Sequence, residues 1–292
     1  MPSESPAPRR WQALTQALNA VSYEILAFKS TEESVLAHVP RTIALTITTT
    51  EAKGLAPTLD LAQRLAGHGY SVAPHLPARL VRDKQQLTDI VAQLRDAGVD
   101  GVFVIAGDAA EPAGIFPDAL SLLEALDATG HHFRRIGIAG YPEGHGSISQ
   151  ELIDRAIELK SRYATHIVTQ LCFDAGTTTA WARRLRERGV GLPIRVGLPG
   201  AVTRQKLILI SAGLGLGQSA RFMKKQQSML WRFFLPGGYK PDRLVERLAP
   251  HIPEPDDNLR GFHFFTFNEL LKTESWRRTM LARAGRPAGD PE

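Results

Sequence analysis

One cysteine, Cys172, is all the thiol that this 292-residue sequence carries. An intrachain disulfide is therefore excluded, and a reducing compartment is expected. Long apolar runs are also missing, and no stretch approaches the roughly 18 residues that a membrane helix needs. Met1 to Arg10 hold prolines, serines and two arginines but no apolar signal core. A cytoplasmic protein is expected, with no membrane partner. There is no internal repeat at a fixed short period and no low-complexity linker, which favours one domain. A strong excess of charge is lacking too, since the net charge is only +5. Arg183, Arg184, Arg186 and Arg188 fall on one predicted helix and read as a solvated face, so no nucleic-acid partner is expected. An anionic small molecule would benefit from the same mild bias.

What is present is an alternation. Runs rich in β-branched and aromatic residues take turns with helix-like segments. Strands are expected at 20–26, 42–48, 71–75, 99–106, 134–139, 165–171, 193–198 and 259–266. Helices are expected at 55–68, 83–97, 117–128, 149–163, 177–189, 202–215, 218–230 and 240–249. A closing helix follows, from an N-cap at Asn268 to about Arg283. Strands joined by helical crossovers predict an all-parallel sheet, and eight of them is the number that closes a (β/α)8 barrel. An open doubly wound sheet is the alternative, because periodicity does not reveal strand order. One domain over 1–292 is expected, with flexible tails at about 1–12 and 284–292.

Polar groups recur where the strands end. Glu24 closes the first apolar run, and His75, Asp108, Tyr141 with His145, and Gln170 hold the matching position later. An acid in such a place is costly unless it has a partner or a task. Parallel α/β folds of both kinds gather ligands at the carboxyl ends of their strands. Each residue also has a plain structural reading. Glu24 can pair with a lysine such as Lys29, Asp108 can cap the turn after it, and Gln170 can close a helix terminus. Phe173 and Cys172 can be core, with His131 and His132 at the surface. Gly213 to Gly217 is faintly like a dinucleotide loop but follows a helix-like run at the wrong spacing, so it reads as a helix end. Met223 to Gln227 reads as an exposed helix face.

Taken in order, these strand ends resemble one family. Ser22-Tyr23-Glu24, Pro74-His75-Leu76, Gly107-Asp108, Tyr141-Pro142-Glu143-Gly144-His145 and Leu159-Lys160 are the first carriers. Thr169-Gln170 with Phe173-Asp174, and His263-Phe264-Phe265-Thr266-Phe267-Asn268, complete the set. Each motif is weak alone, but their common order at strand ends makes the sequence similar to methylenetetrahydrofolate reductases from about Val21 to Asn268. The resemblance implies a flavin-dependent (β/α)8 barrel that interconverts 5,10-methylenetetrahydrofolate and 5-methyltetrahydrofolate, with FAD as cofactor and NADH or NADPH as co-substrate. It implies Glu24 and Asp108 as catalytic residues, with Gln170, Phe173 and Asp108 on the folate. It assigns Thr48, His75, Asp108, Tyr141, His145 and Lys160 to the flavin.

Opening the five-membered ring of the folate requires a proton on the leaving nitrogen. That calls for a carboxylic acid whose pKa is raised by apolar surroundings, as Tyr23, Ile25 and Leu26 suggest for Glu24. Several positions depart from the family. Ile25 to Phe28 replace aromatics and a proline pair, and Ala106 stands where arginine is usual. Thr46 to Thr50 alter the flavin-side loop, Val196 replaces a proline, and Ser219 to Gly238 align poorly. Weaker FAD binding than in typical relatives is therefore expected. Two other functions are compatible with these changes: a pterin-binding barrel for methyl transfer without a redox cofactor, and a non-catalytic folate-binding relative.

Overall fold

Every second residue along the strand runs is large and apolar, as in Tyr23 and Ile25, Leu45 and Ile47, Val102 and Val104, or Phe262 and Phe264, and all of these are buried. The residues between them are mostly polar, as Glu24, Thr46 and His263 are, although Phe103 is a buried aromatic. Side chains alternate across a strand, so such a sheet covers its apolar face with helices and turns the other face toward a shared interior. The computed structural model describes residues 6–146, 148–202, 241–252, 254 and 257–285, the first five by backbone alone.

The strands are β1 (Ser22–Leu26), β2 (Ala44–Thr48), β3 (Val72–Pro77), β4 (Gly101–Ile105), β5 (Arg135–Gly140), β6 (His166–Leu171), β7 (Ile194–Pro199) and β8 (Leu259–Phe265). They pair in parallel in chain order, and β8 pairs back to β1. That last pairing makes the sheet a closed (β/α)8 barrel and removes the open-sheet alternative. Around it lie α1 (Pro6–Asn19), α2 (Thr31–His38), α3 (Ala56–Gly67), α4 (Lys84–Asp96), α5 (Ala119–Ala128), α6 (Gln150–Lys160), α7 (Ala175–Glu187), α8 (Asp242–Leu248) and α9 (Leu270–Ala284).

Helix starts follow local chemistry. Asp83, Asp118, Ser149 and Asp174 cap α4, α5, α6 and α7 by accepting a backbone N–H of the first turn. Arg183, Arg184 and Arg186 of α7, with Arg188 just past its end, are not a free cationic face. Arg183 pairs with Asp257 at 2.5 Å and Arg184 with Asp154 at 3.1 Å, and Arg188 pairs with Glu158.

Three expectations are corrected. The stretch before Ala13 is helical from Pro6, and α1 buries Leu14, Ala17 and Leu18, with Trp11 packed against the core. α2 arises in a stretch where no helix is expected, because its apolar stripe is reduced to Val35 among buried apolar residues. Asn268 does not cap α9. It adopts φ 63°, and its amide instead satisfies the end of β1: Oδ1 accepts from Leu26 N–H at 2.9 Å, while Nδ2 donates to Leu26 C=O at 3.0 Å. Asparagine tolerates this left-handed backbone better than most residues. The helices expected at 202–215 (beyond Val202) and 218–230 lie outside the described residues, as do Gly213 to Gly217, Met223 to Gln227 and Ser219 to Gly238.

Candidate active site

The interior of the barrel is polar at the carboxyl ends of β1, β2, β3 and β8. Strand register decides who meets there. Glu24 lies opposite Thr46 on β2 and Phe265 on β8, while Ser22 lies opposite His263. Glu24 is 17% exposed, and Thr48 Oγ1 donates to its Oε1 at 2.8 Å. His263 Nε2 stands 3.5 Å from its Oε2, and His75 Nε2 stands 3.8 Å from the same atom. Lys29, the lysine that could have neutralised Glu24, is not among its partners.

These surroundings correct the expected electrostatics of Glu24. Burial pushes its carboxyl pKa up, but the hydrogen bond from His263, the charges of His75 and His263 when protonated, and the Thr48 hydroxyl outweigh it. The net displacement is downward, so Glu24 is a carboxylate at neutral pH in the free protein. His75 is shifted down to about 4, first by burial, with Glu24 opposing. It is therefore neutral at pH 7, and hydrogen bonds rather than its charge hold Glu24 ionised there.

His75 is 5% exposed, and both of its ring nitrogens lack a hydrogen-bond partner. Its ring leans on Phe103, with centroids 4.7 Å apart. Burying an imidazole with neither nitrogen satisfied is unfavourable, by roughly 1–3 kcal/mol per group, unless something else supplies the partner. His75 therefore keeps hydrogen-bonding capacity to spare beside Glu24 at the barrel mouth.

Farther round the mouth, Asp108 follows Gly107 at the end of β4 and is exposed. Gly107 has φ 88°, and a Cβ there would come within 2.8 Å of Pro77 Cβ, so the tight turn needs glycine. Asp108 caps no helix, since α5 is capped by Asp118. Its charge reaches Tyr141, whose hydroxyl pKa is raised by burial first and by Asp108 second. Tyr141 meets His145 edge-on, with centroids 5.2 Å apart. Lys160 sits in the last turn of α6, where burial lowers its pKa and Asp118 opposes the shift. Arg162 just beyond it reaches Glu124 at 3.4 Å, so this end of α6 lies beside the middle of α5.

Gln170 sits at the end of β6, where the pairing with β7 slips between Val168 and Leu171. Such irregularities re-aim side chains. Gln170 is exposed there rather than buried at a helix end, and its Oε1 accepts from Leu171 N–H at 2.9 Å. Phe173 is half-buried. Its N–H and that of Asp174 both donate to Glu143 Oε1, at 2.5 and 2.9 Å, which ties the loop after β6 to the loop after β5.

Glu24, Thr48 and His75 thus share direct contacts, Tyr141 joins His145 and Asp108, and Gln170 ends β6 with Phe173 in the loop that follows. Lys160 stands apart, between α5 and α6. Two contributors carried no assigned role in the sequence reading. His263 and Glu143 each lie inside a quoted motif, but nothing in their spacing shows what they touch.

The family model for methylenetetrahydrofolate reductase matches residues 25–206. The chain belongs to the methylenetetrahydrofolate reductase family. The match begins one residue after Glu24 and ends before β8, so Glu24 and His263 lie outside the matched segment. Among solved structures, the chain is similar to 2,3-dimethylmalate lyase, a PEP mutase/isocitrate lyase superfamily member, at 14% identity and a TM-score of 0.45. That alignment covers 85% of this chain and 95% of the other. An aldolase named QR15 aligns at 14% identity and a TM-score of 0.43, over 64% of this chain and 82% of its own.

Measured against this family's flavin, the residues present fit such a group. His75 offers two unused nitrogens at the mouth, while Lys160, a half-buried cation opposed by the charge of Asp118, stands apart from it between α5 and α6. Ala106 supplies no charge. The nearby Arg79 does not replace one, because its guanidinium donates to the carbonyls of Ala109, Ala110 and Pro117.

Proposed function

We propose that the protein is an FAD-dependent enzyme that interconverts 5,10-methylenetetrahydrofolate and 5-methyltetrahydrofolate, with NADH or NADPH as the other redox partner. The observation that carries this reading is the carboxylate of Glu24, held inside the barrel mouth beside a buried histidine whose nitrogens are both unused, in a chain of this family. Thr48, His75, Asp108, Tyr141, His145 and Lys160 would hold the cofactor, Lys160 by its charge and Tyr141 and His145 at an edge. FAD, when bound, supplies a carrier for the hydride.

The residues of the chain handle the folate and its proton. Asp108 and Gln170 offer complementary acceptors and donors to the amide-like edge of a pterin, with Phe173 as an apolar neighbour. Glu24 gives a proton to the leaving nitrogen of the five-membered ring. The bond from the methylene carbon to that nitrogen breaks, the electron pair stays on nitrogen, and the resulting iminium carbon is open to hydride. Glu24 is ionised in the free protein, so it must take up its proton as ligands cover the mouth. Removing the remaining solvent strengthens the burial effect that already opposes its hydrogen bonds.

Glu24→Gln is expected to slow folate turnover by two orders of magnitude or more, within the roughly 10²–10⁴-fold range of general acid catalysis. Reduction of the flavin by NAD(P)H should fall far less, as followed by bleaching of the yellow flavin under anaerobic conditions. Equal loss in both half-reactions would remove Glu24 from the acid role.

A second reading is a pterin-binding barrel for methyl transfer without a redox cofactor. Ala106 favours it, together with the commitment of Arg79 to backbone carbonyls. A colourless protein that binds folate and ignores both FAD and NAD(P)H would support it.

A further inference from the structure

Two histidines flank the same oxygen of Glu24, and their surroundings differ. His75 has neither nitrogen engaged, so it is left for a ligand. His263 is engaged at both ends. Its Nδ1 lies 2.8 Å from Ser22 Oγ, and its Nε2 lies 3.4 Å from Thr46 Oγ1 and 3.5 Å from Glu24 Oε2. It is 1% exposed.

The chemistry of these neighbours selects one tautomer. A lone pair on Nε2 would face a carboxylate oxygen, which is repulsive, whereas an N–H there donates to it. With the proton on Nε2, Nδ1 is an acceptor, and the hydroxyl of Ser22 is the donor that meets it. Pairing of β1 with β8 puts Ser22 beside His263, so the backbone ladder itself builds this contact. The carboxylate of Glu24 then has one donor for each oxygen, Thr48 on Oε1 and His263 on Oε2.

We propose that His263 is a positioning residue for Glu24. Locked by Ser22 in the tautomer that carries its proton on Nε2, it orients the carboxylate and keeps it ionised until ligands cover the mouth. The proposal deepens the reading of Glu24 as the folate acid and rests on it only for the consequence in turnover. The groups that face Glu24 are Thr48 from β2, His75 from β3 and His263 from β8. Those that act on His263 are Ser22 and Glu24 from β1, Thr46 from β2 and His75 from β3. His166 from β6 also acts on it, and is itself flanked by Arg135 and Arg195. Tyr23 lies on the other face of β1, where its hydroxyl donates to Glu274 of α9.

The test is a titration of Glu24 itself. Protein carrying ¹³C-labelled glutamate side chains is titrated by NMR, and the Glu24 carboxyl signal is assigned by its loss in Glu24→Gln. In the unmodified protein the signal should titrate below 4.5, the ordinary glutamate value. In His263→Leu the midpoint should rise by a unit or more, a tenfold change in proton affinity. Ser22→Ala, which keeps the ring but frees the tautomer, should give a smaller rise. His263→Gln, whose amide N–H can still donate, should stay near the unmodified value. An unchanged midpoint in His263→Leu overturns the proposal. If that variant does not fold, an unchanged midpoint in Ser22→Ala does so. Where folate turnover is present, its alkaline limb should move to higher pH in step with the midpoint. Shifted midpoints in a protein that turns over no folate would leave the His263 contact standing and remove the proposed function instead.

Discussion

His75 is the residue whose cost is most visible. It is buried, stacked on Phe103 and unpartnered at both nitrogens, and its pKa is lowered from 6.5 to about 4. A base whose folded pKa lies below its unfolded value contributes stability that is complete above the unfolded value. That stability is lost as pH falls toward the folded value. Between pH 7 and pH 5, the unfolded chain takes up a proton that folded His75 refuses, which weakens the fold by about 2 kcal/mol. His75→Gln should therefore flatten the pH dependence of the urea midpoint over this window. His166, also lowered to about 4, should retain its own share of the slope. An identical slope in His75→Gln would mean that the residue is protonated or solvated in the folded protein. The same histidine that weakens the fold in acid is the one left available to a ligand.

At the scale of elements, β1 is fixed from both of its faces. Inward, Glu24 and Ser22 meet β2, β3 and β8. Outward, the Tyr23 hydroxyl donates to Glu274 Oε2 on α9 at 2.8 Å, and Glu274 also accepts from Arg277 at 2.8 and 2.9 Å and from Arg278 at 2.8 Å. Arg277 continues to the carbonyl of Leu18 at the end of α1. This network ties the first strand to the first and last helices. Burial raises the pKa of Glu274, but its two arginines and Tyr23 lower it further, so the net shift is downward. Its contribution is complete above 4.5 and fades as pH falls through the lowered value. Glu274→Ala leaves Arg277 buried without its carboxylate and should destabilise the protein by about 3 kcal/mol, as read by denaturant unfolding. Tyr23→Phe removes one hydrogen bond and should cost about 1–2 kcal/mol. Little change in either variant would show that α9 is not needed to hold β1. Glu143 works similarly at the mouth, where a single carboxylate oxygen joins the loops after β5 and β6.

For the molecule as a whole, a cofactor that binds only the folded barrel adds its binding free energy to stability. Saturating FAD at about 100 times its Kd should add about 2.7 kcal/mol, seen as a rise in Tm that grows with FAD concentration. With Ala106 in place of a charged hydrogen-bond partner, the FAD needed to reach that rise should be about ten- to a hundredfold greater than for a relative that keeps the arginine. A Tm indifferent to FAD but raised by a folate would favour the methyl-transfer reading.

Sequence alone determined the eight strands and their alternation with helices, with an open doubly wound sheet still compatible with the same pattern. The strand runs fall within two residues of the observed strands because strands buried on both faces are rich in β-branched and aromatic residues, a local signal written directly in residue order. It also marked Glu24, His75, Asp108 and Gln170 as strand-end polar groups, since their positions follow from the same count. Only the tertiary structure decided what those groups experience. Glu24 is flanked in sequence by Tyr23, Ile25 and Leu26, yet these neighbours point away from it or lie beyond it, and its electrostatics come from Thr48, His75 and His263. The contact with His263 spans 239 residues and exists because β8 closes against β1. Closure is a property of the whole sheet, which no local window of residues carries.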